Sequence, residues 1–428
     1  MQSIRQLAIA SLLLITCPLA FASTWIHCGH LLDVESGELR GESTVVISDG
    51  MIDRIEDTLS PAPDGETLID LSGLTCLPGL MDMHTHVLYQ SSPSAYIDRF
   101  TEDPADLALQ GADYARITLE SGFTTIRDLG DRFNVSIALR DAINAGITVG
   151  PRIYTSGKSL ATTGGHADPT NSWRADLMGD PGPRDGVVDG IAQAREGVRQ
   201  RYKDGADLIK ITATGGVLSV ARSGLAPQFQ PDELEAIVST ARDYDMHVAA
   251  HAHGKEGMLR AIEAGVSSIE HGTMMDEEVI EAMIENDTWL VATIMAGDFV
   301  AEKAEIDGYF PEIIRPKARM IGPMMQDTFE RAWRAGVKIA FGTDSGVSAH
   351  GDNAREFELM VETGMSEIDA IRAATRSSAE LLGIQETAGA IAPGYWADII
   401  AVEGNPLNDI SLLDDIRFVM KDGEVYLD

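Results

Sequence analysis

From about residue 80 onward, short apolar or β-branched runs alternate with stretches whose apolar positions recur at helical spacing, the pattern of βα units around a parallel sheet. Eight runs read as strands. They end near His84-Thr85-His86, Thr124-Thr125-Ile126, Tyr154-Thr155-Ser156, Leu208-Ile209-Lys210, Val248-Ala249-Ala250-His251, Ser268-Ile269-Glu270-His271, Leu290-Val291-Ala292 and Ile339-Ala340-Phe341. Between them, Pro231-Asp232-Glu233-Leu234 places a proline and two acids in a helical first turn leading to Ala241. Lys255 to Ala264 reads as a second helix, closed by Gly265 at the C-cap position. The whole predicts an α/β protein built on a (β/α)8 TIM barrel of about 300 residues. The two ends read instead as short strands and turns, for example Thr44-Val45-Val46-Ile47 and Ala397-Asp398-Ile399-Ile400. They predict a small β-sandwich built from residues 23–78 and 386–428, flanking a barrel of residues 79–385.

The first 22 residues carry Arg5, an apolar run from Leu7 to Leu19 and the small-x-small site Ala20-Phe21-Ala22. This is the layout of a signal peptide, with a mature chain beginning near Ser23 and an exported, periplasmic or secreted location. The apolar run is shorter than the roughly 20 residues of a spanning helix and is broken by Pro18, so no membrane association is expected of the mature form. Cys28 and Cys76 remain after cleavage. An oxidising compartment permits them to pair, but the preferred expectation is two buried free cysteines acting as small hydrophobes.

Composition adds exclusions. With 44% hydrophobic and 23% charged residues, the 428-residue chain is an ordinary globular protein, neither disordered nor fibrous. Its 33 basic against 67 acidic residues give a net charge of −34, which repels phosphate backbones and anionic lipid headgroups and argues against nucleic-acid partners.

In barrel enzymes the chemistry sits at the carboxyl ends of the strands, and here those ends carry His84, His86, Lys210, His251, His271 and Asp344. His-x-His on a strand points both imidazoles to one side, where they can share a cation. His251 and His271 add neutral nitrogen ligands, and Asp344 a carboxylate that can touch both metal and water. A protonated Lys210 beside cations is electrostatically unfavourable. A neutral one can add carbon dioxide and become a carbamate, an anionic bridge between two divalent metal ions.

The segment Pro78-Gly79-Leu80-Met81-Asp82-Met83-His84-Thr85-His86 resembles the first-strand signature of the amidohydrolase superfamily. Ser268-Ile269-Glu270-His271-Gly272 and Gly342-Thr343-Asp344-Ser345-Gly346 resemble its sixth- and eighth-strand signatures, and Ala392-Pro393-Gly394-Tyr395-Trp396-Ala397-Asp398 its return to the β-sandwich. Lys210-Ile211-Thr212-Ala213-Thr214-Gly215-Gly216, Thr163-Gly164-Gly165-His166 and Ala250-His251-Ala252-His253-Gly254 are similar to the imidazolonepropionase-like branch. That branch holds Xaa-Pro dipeptidases, carboxypeptidases acting before Arg or Lys, and ochratoxin A-hydrolysing amidohydrolases.

The resemblance implies a binuclear hydrolase that cleaves the amide of an N-acyl amino acid or dipeptide-like small molecule and releases a C-terminal amino acid. It implies His84 and His86 on one metal, His251 and His271 on the other, an N6-carboxylated Lys210 between them, and Asp344 as ligand and proton carrier. Zinc is the default ion for such a donor set. His166 is the expected oxyanion donor, His253 a substrate or metal-shell contact, and Arg222 a carboxylate contact. Homo-oligomerisation is common in the family. A mononuclear deaminase is the rival reading, through the His-x-x-Glu spacing of His253 and Glu256, and a cyclic-amide hydrolase shares all six ligands; a non-catalytic scaffold requires a lost ligand, and none is missing.

Overall fold

A computed structural model describes residues 23–220 and 224–428, so the expected signal peptide and Arg222 lie outside the described residues. Five strands open the fold: β1 (Thr24–Asp33), β2 (Glu38–Arg40), β3 (Ser43–Ser48), β4 (Met51–Glu56) and β5 (Thr67–Pro78). Seven follow in the barrel: β6 (Leu80–Thr85), β7 (Phe123–Asp128), β8 (Arg152–Thr155), β9 (Ile209–Thr212), β10 (Val248–Ala252), β11 (Ser268–His271) and β12 (Trp289–Val291). Three close the chain: β13 (Ile399–Val402), β14 (Ile416–Lys421) and β15 (Glu424–Leu427).

The barrel strands are parallel, in two ladders, β6-β7-β8 and β9-β10-β11-β12. Single bridges join them: Leu160 to Ile211 beyond β8, and Leu290 to Ile339 beyond β12. The circle closes where the Met83 amide donates to the Phe341 carbonyl at 2.8 Å and Thr85 bridges Ser345. The eighth strand, expected to end at Phe341, is therefore reduced to bridging residues. The Phe341 amide turns outward to the Ala373 carbonyl at 3.1 Å, which ends the ladder after a few contacts.

Burial on both faces explains the near-continuous apolar runs: Leu80, Phe123, Ile126, Ile209, Ile211, Ala250, Ile269 and Leu290 are all fully buried. Each of these side chains other than Ala250 contributes roughly 1.5–3 kcal/mol. The two predicted helices form as expected, over Pro231–Arg242, with Pro231 in the first turn, and over Lys255–Ala264, with Gly265 in the left-handed region at φ 91°. Among the described residues no helix is long and apolar enough to cross a membrane.

The terminal strands pair in the order β15-β14-β13-β5-β1-β3-β4, with β2 on β1, so the chain's last segment lies beside its first. Ile26, Val45, Ile47, Ile399, Phe418 and Met420 give this sheet its own core. Arg152 of β8 ties it to the barrel through Asp398 at 2.8 Å. The expectation of free cysteines is corrected here: Cys28 and Cys76 form a disulfide, with Cα atoms 5.8 Å apart and a sequence separation of 48. β1 and β5 are parallel neighbours whose register shifts just after Cys28. At that shift Gly29 lies so close to the Ser72 carbonyl that a Cβ would stand 2.2 Å from its oxygen. Pairing of this kind is a tertiary event that a 48-residue separation does not announce.

Candidate active site

Because the strands are parallel, their carboxyl ends meet at one mouth, and the polar residues that punctuate them converge there. His84, His86, His166, Lys210, His251, His253, His271 and Asp344 all line one cavity of about 600 Å³. Arg222 lies outside the described residues. His84 lies on β6 and His86 one residue beyond its end, and both Nε2 atoms turn to Asp344 Oδ1, at 3.5 and 3.3 Å. Ligand atoms of His84, His86 and Asp344 all lie within 4.8 Å of one another. Lys210 Nζ is 3.5 Å from His84 Nε2. The ring of His271 stands 4.9 Å from that of His84 and 4.7 Å from that of His251.

The partners of each ring fix which nitrogen faces the centre. His84 Nδ1 donates to Glu270 Oε2 at 2.9 Å, and His86 Nδ1 to the Gly130 carbonyl at 3.1 Å, leaving both Nε2 lone pairs inward. His271 Nδ1 bonds Thr293 Oγ1 at 2.7 Å, which again leaves Nε2. His251 is reversed: its Nε2 donates to the Gly215 carbonyl at 3.1 Å, and Nδ1 is the free nitrogen. Asp344 Oδ1 is buried without any hydrogen-bond partner. A buried carboxylate oxygen without a donor, facing imidazole lone pairs, is a donor set that fits cations. His271, Thr293 and Asp344 also hold left-handed backbones at φ 74°, 54° and 57°, a cost of about 1–3 kcal/mol each that clusters at this centre.

Electrostatics agree with neutral imidazoles at His84, His251 and His271. Burial, helped by Lys210, pushes His84 down to about 4, and burial with neighbouring rings and Lys210 drives His251 and His271 well below the ordinary histidine value. Burial presses the Lys210 amine down to about 8. His86 moves the other way: burial lowers it, but Asp344 outweighs burial and raises it. Burial raises Asp344, yet His84 and His86 hold it below the usual carboxylate range.

Beneath these side chains lies a layer whose role the sequence did not reveal. Glu270 and Arg127, both fully buried, pair at 2.8 Å, and Arg127 Nε also donates to the Met83 carbonyl at 2.6 Å. Burial pushes Glu270 up, but Arg127 and His84 bring it down to about 2. The available signal was an Arg and a Glu, each one residue before the last of a short, fully buried strand.

His166 stacks on His251 with ring centroids 4.3 Å apart, and its buried Nδ1 lacks a partner. Its ring occupies the space a side chain at Gly216 would take, since a Cβ there would lie 2.2 Å from His166 Cε1. His253 bonds Thr273 Oγ1 at 2.7 Å and stacks on His271 at 5.1 Å, so it supports the His271 ring while lining the cavity. Glu256 points away and pairs with Arg260 at 2.8 Å on the surface, which removes the His-x-x-Glu arrangement on which the deaminase reading rests.

The amidohydrolase family profile matches residues 75–426. The chain belongs to the amidohydrolase family. This amidohydrolase is a hydrolase acting on amide bonds, and its relatives narrow the setting. It is 52% identical to a Xaa-Pro dipeptidase whose crystal structure holds methionine in the active site, over 95% of this chain and 100% of that one, with a TM-score of 0.93. A prolidase complexed with N-methylphosphonate-L-proline is 32% identical, covering 94% of this chain and 99% of that one, with a TM-score of 0.85. Ochratoxinase of Aspergillus niger is 35% identical over 370 residues, 82% of this amidohydrolase and 75% of the fungal protein. These relatives agree with the branch of the family that the motifs around Lys210, His166 and His251 resemble.

Proposed function

We propose that this amidohydrolase hydrolyses N-acyl amino acids or dipeptide-like amides at a binuclear metal centre and releases a C-terminal amino acid. The observation that carries the reading is the orphaned Asp344 Oδ1, facing His84 and His86 Nε2 with Lys210 Nζ alongside, at the base of a cavity large enough for a dipeptide. His84, His86, His251, His271, Asp344 and an N6-carboxylated Lys210 would hold the ions, zinc by donor chemistry. When bound, the ions would supply Lewis-acid polarisation of the scissile carbonyl and lower the pKa of water. Depression of the Lys210 amine to about 8 keeps a neutral fraction available for carbamate formation near neutral pH.

Asp344, with a low pKa and a free oxygen, accepts the proton of the attacking water and passes it to the departing amine nitrogen. His166, neutral because burial pushes it down to about 3, donates a hydrogen bond to the developing oxyanion. His253 steadies His271 and borders the substrate. The Xaa-Pro dipeptidase, prolidase and ochratoxinase relatives support a leaving group that is an amino acid, and cleavage of ochratoxin A to ochratoxin α and L-phenylalanine is one reaction of this class. An exported location is proposed on the layout of residues 1–22 together with the Cys28–Cys76 disulfide, which belongs to an oxidising compartment.

The test is metal content per subunit of the purified protein, coupled to hydrolysis of a dipeptide and N-acyl amino acid panel that includes ochratoxin A. Two ions and a released C-terminal amino acid are expected. One ion with ammonia release, or no turnover across the panel, would overturn the reading.

A further inference from the structure

The cavity has two unlike sides. Val217, Ala296, Val300, Ile321, Met325 and Val347 form a continuous apolar wall, contributed by the segments that follow β9, β12 and Asp344. The loops after β6 and β7 bring two guanidiniums to the rim instead, Arg99 and Arg132. Arg132 donates to the Arg99 carbonyl at 3.4 Å, and Arg99 packs over the Tyr96 ring at 5.3 Å.

Among the described residues, no carboxylate lies within ion-pair distance of either arginine, in a chain with 67 acids for 33 bases. The nearby acids are engaged locally. Asp131 accepts the Phe133 and Ser136 amides at 2.8 and 2.9 Å, Asp98 the Ser94 hydroxyl at 2.8 Å, and Glu102 the Gln110 amide at 2.8 Å. Burial and Arg99 together press Arg132 below the ordinary guanidinium value, and the charge of Glu102 opposes them from beyond ion-pair distance. A net charge of −34 repels anionic substrates, so two guanidiniums at the mouth with no carboxylate at ion-pair distance suit an entering molecule that is negative there, even with Asp98, Glu102 and Asp131 also lining the cavity.

We infer that Arg99 and Arg132 form an anion subsite for a carboxylate carried on the acyl portion of the substrate, while the apolar wall takes the side chain of the released residue. The inference rests on the amide hydrolysis proposed above. The α-carboxylate of the leaving amino acid stays within a few bonds of the scissile amide, among the buried ligands. Arg99 is exposed and Arg132 half-buried, so they meet a group at the far end of the substrate. Paired guanidiniums suit a carboxylate, which accepts two parallel N–H donors.

The experiment compares N-succinyl-L-phenylalanine with its neutral isostere N-succinamoyl-L-phenylalanine on the metal-loaded enzyme, reading both kcat/KM and calorimetric binding. Wild type is expected to favour the succinyl compound by about 10- to 100-fold, chiefly in KM, with the ratio shrinking as salt rises. The Arg99→Gln/Arg132→Gln variant should lose the preference, and Arg99→Lys/Arg132→Lys should recover part of it; thermal denaturation of both checks their folding. Equal hydrolysis of the two compounds by wild type, or a preference that survives in the glutamine variant, overturns the subsite and leaves the proposed reaction intact. Binding of the succinyl compound that is lost in the glutamine variant, without hydrolysis of either, supports the subsite and overturns the reaction. Neither binding nor hydrolysis overturns both.

Discussion

Arg127 and Glu270 pair through Nη2 and Oε1 at 2.8 Å with neither side chain exposed, and the other carboxylate oxygen holds His84 Nδ1 at 2.9 Å. One carboxylate therefore neutralises a buried arginine and also orients a metal-competent imidazole. Glu270→Gln should leave Arg127 an uncompensated buried charge and lower stability by roughly 3–5 kcal/mol. It should also weaken metal affinity by about 10- to 100-fold, because the His84 tautomer loses its anchor. Chemical denaturation of the metal-free protein and a metal titration read the two effects separately; unchanged metal affinity would deny Glu270 the orienting role.

Asp344→Asn keeps size and one oxygen donor but cannot carry the proton. Turnover should fall by about 10²- to 10⁴-fold while most of the metal is retained. Steady-state kinetics alongside metal analysis of the same preparation checks this, and near-normal kcat in a metal-replete variant would refute the proton-transfer role.

Lys210→Ala removes the amine that stands 3.5 Å from His84 Nε2. Metal content and activity should both drop, and short carboxylic acids should restore part of each by standing in for the carbamate. Intact mass of the active, metal-loaded wild type should show the added carbon dioxide; an unmodified lysine there would end the bridging argument.

The Cys28–Cys76 bridge joins positions 48 apart in sequence in the terminal sheet, so its removal should cost about 2–4 kcal/mol. Denaturation of the Cys28→Ala/Cys76→Ala variant, or of wild type under strong reductant, should shift by that amount. Because Cys28 and Cys76 are fully buried, the folded protein should resist mild reductants.

Glu356 is fully buried at the start of the helix Ile294–Lys303, accepting the Ile294 and Met295 amides at 2.9 and 2.7 Å. Burial outweighs those bonds and raises its carboxyl from 4.5 to about 8. Between those values the folded state binds a proton that the unfolded state has lost, so this group's contribution to stability falls as pH rises through that window. Glu356→Gln should flatten the wild-type decline between about pH 5 and 8; identical slopes in pH-resolved denaturation would remove the assignment.

The sequence by itself determined the barrel, the ligand candidates and the helix ends. Strand and helix periodicity, Pro231 in a first turn, Gly265 at a C-cap and the His84-x-His86 spacing all act over a few residues, within the reach of backbone sterics and local hydrogen bonds. Only the tertiary structure decided what depends on distant segments meeting: the Cys28–Cys76 bond, the Arg127–Glu270 pair beneath His84, the reversed ring of His251 on the Gly215 carbonyl, the outward-facing Glu256 and the shortened eighth strand. Glu256 shows the limit most directly. Three residues from His253 it had the spacing of a catalytic pair, yet the helix that follows carries it to the surface against Arg260. Spacing places residues along a chain, whereas burial and partners, which set charge and tautomer, exist only once the strands have closed.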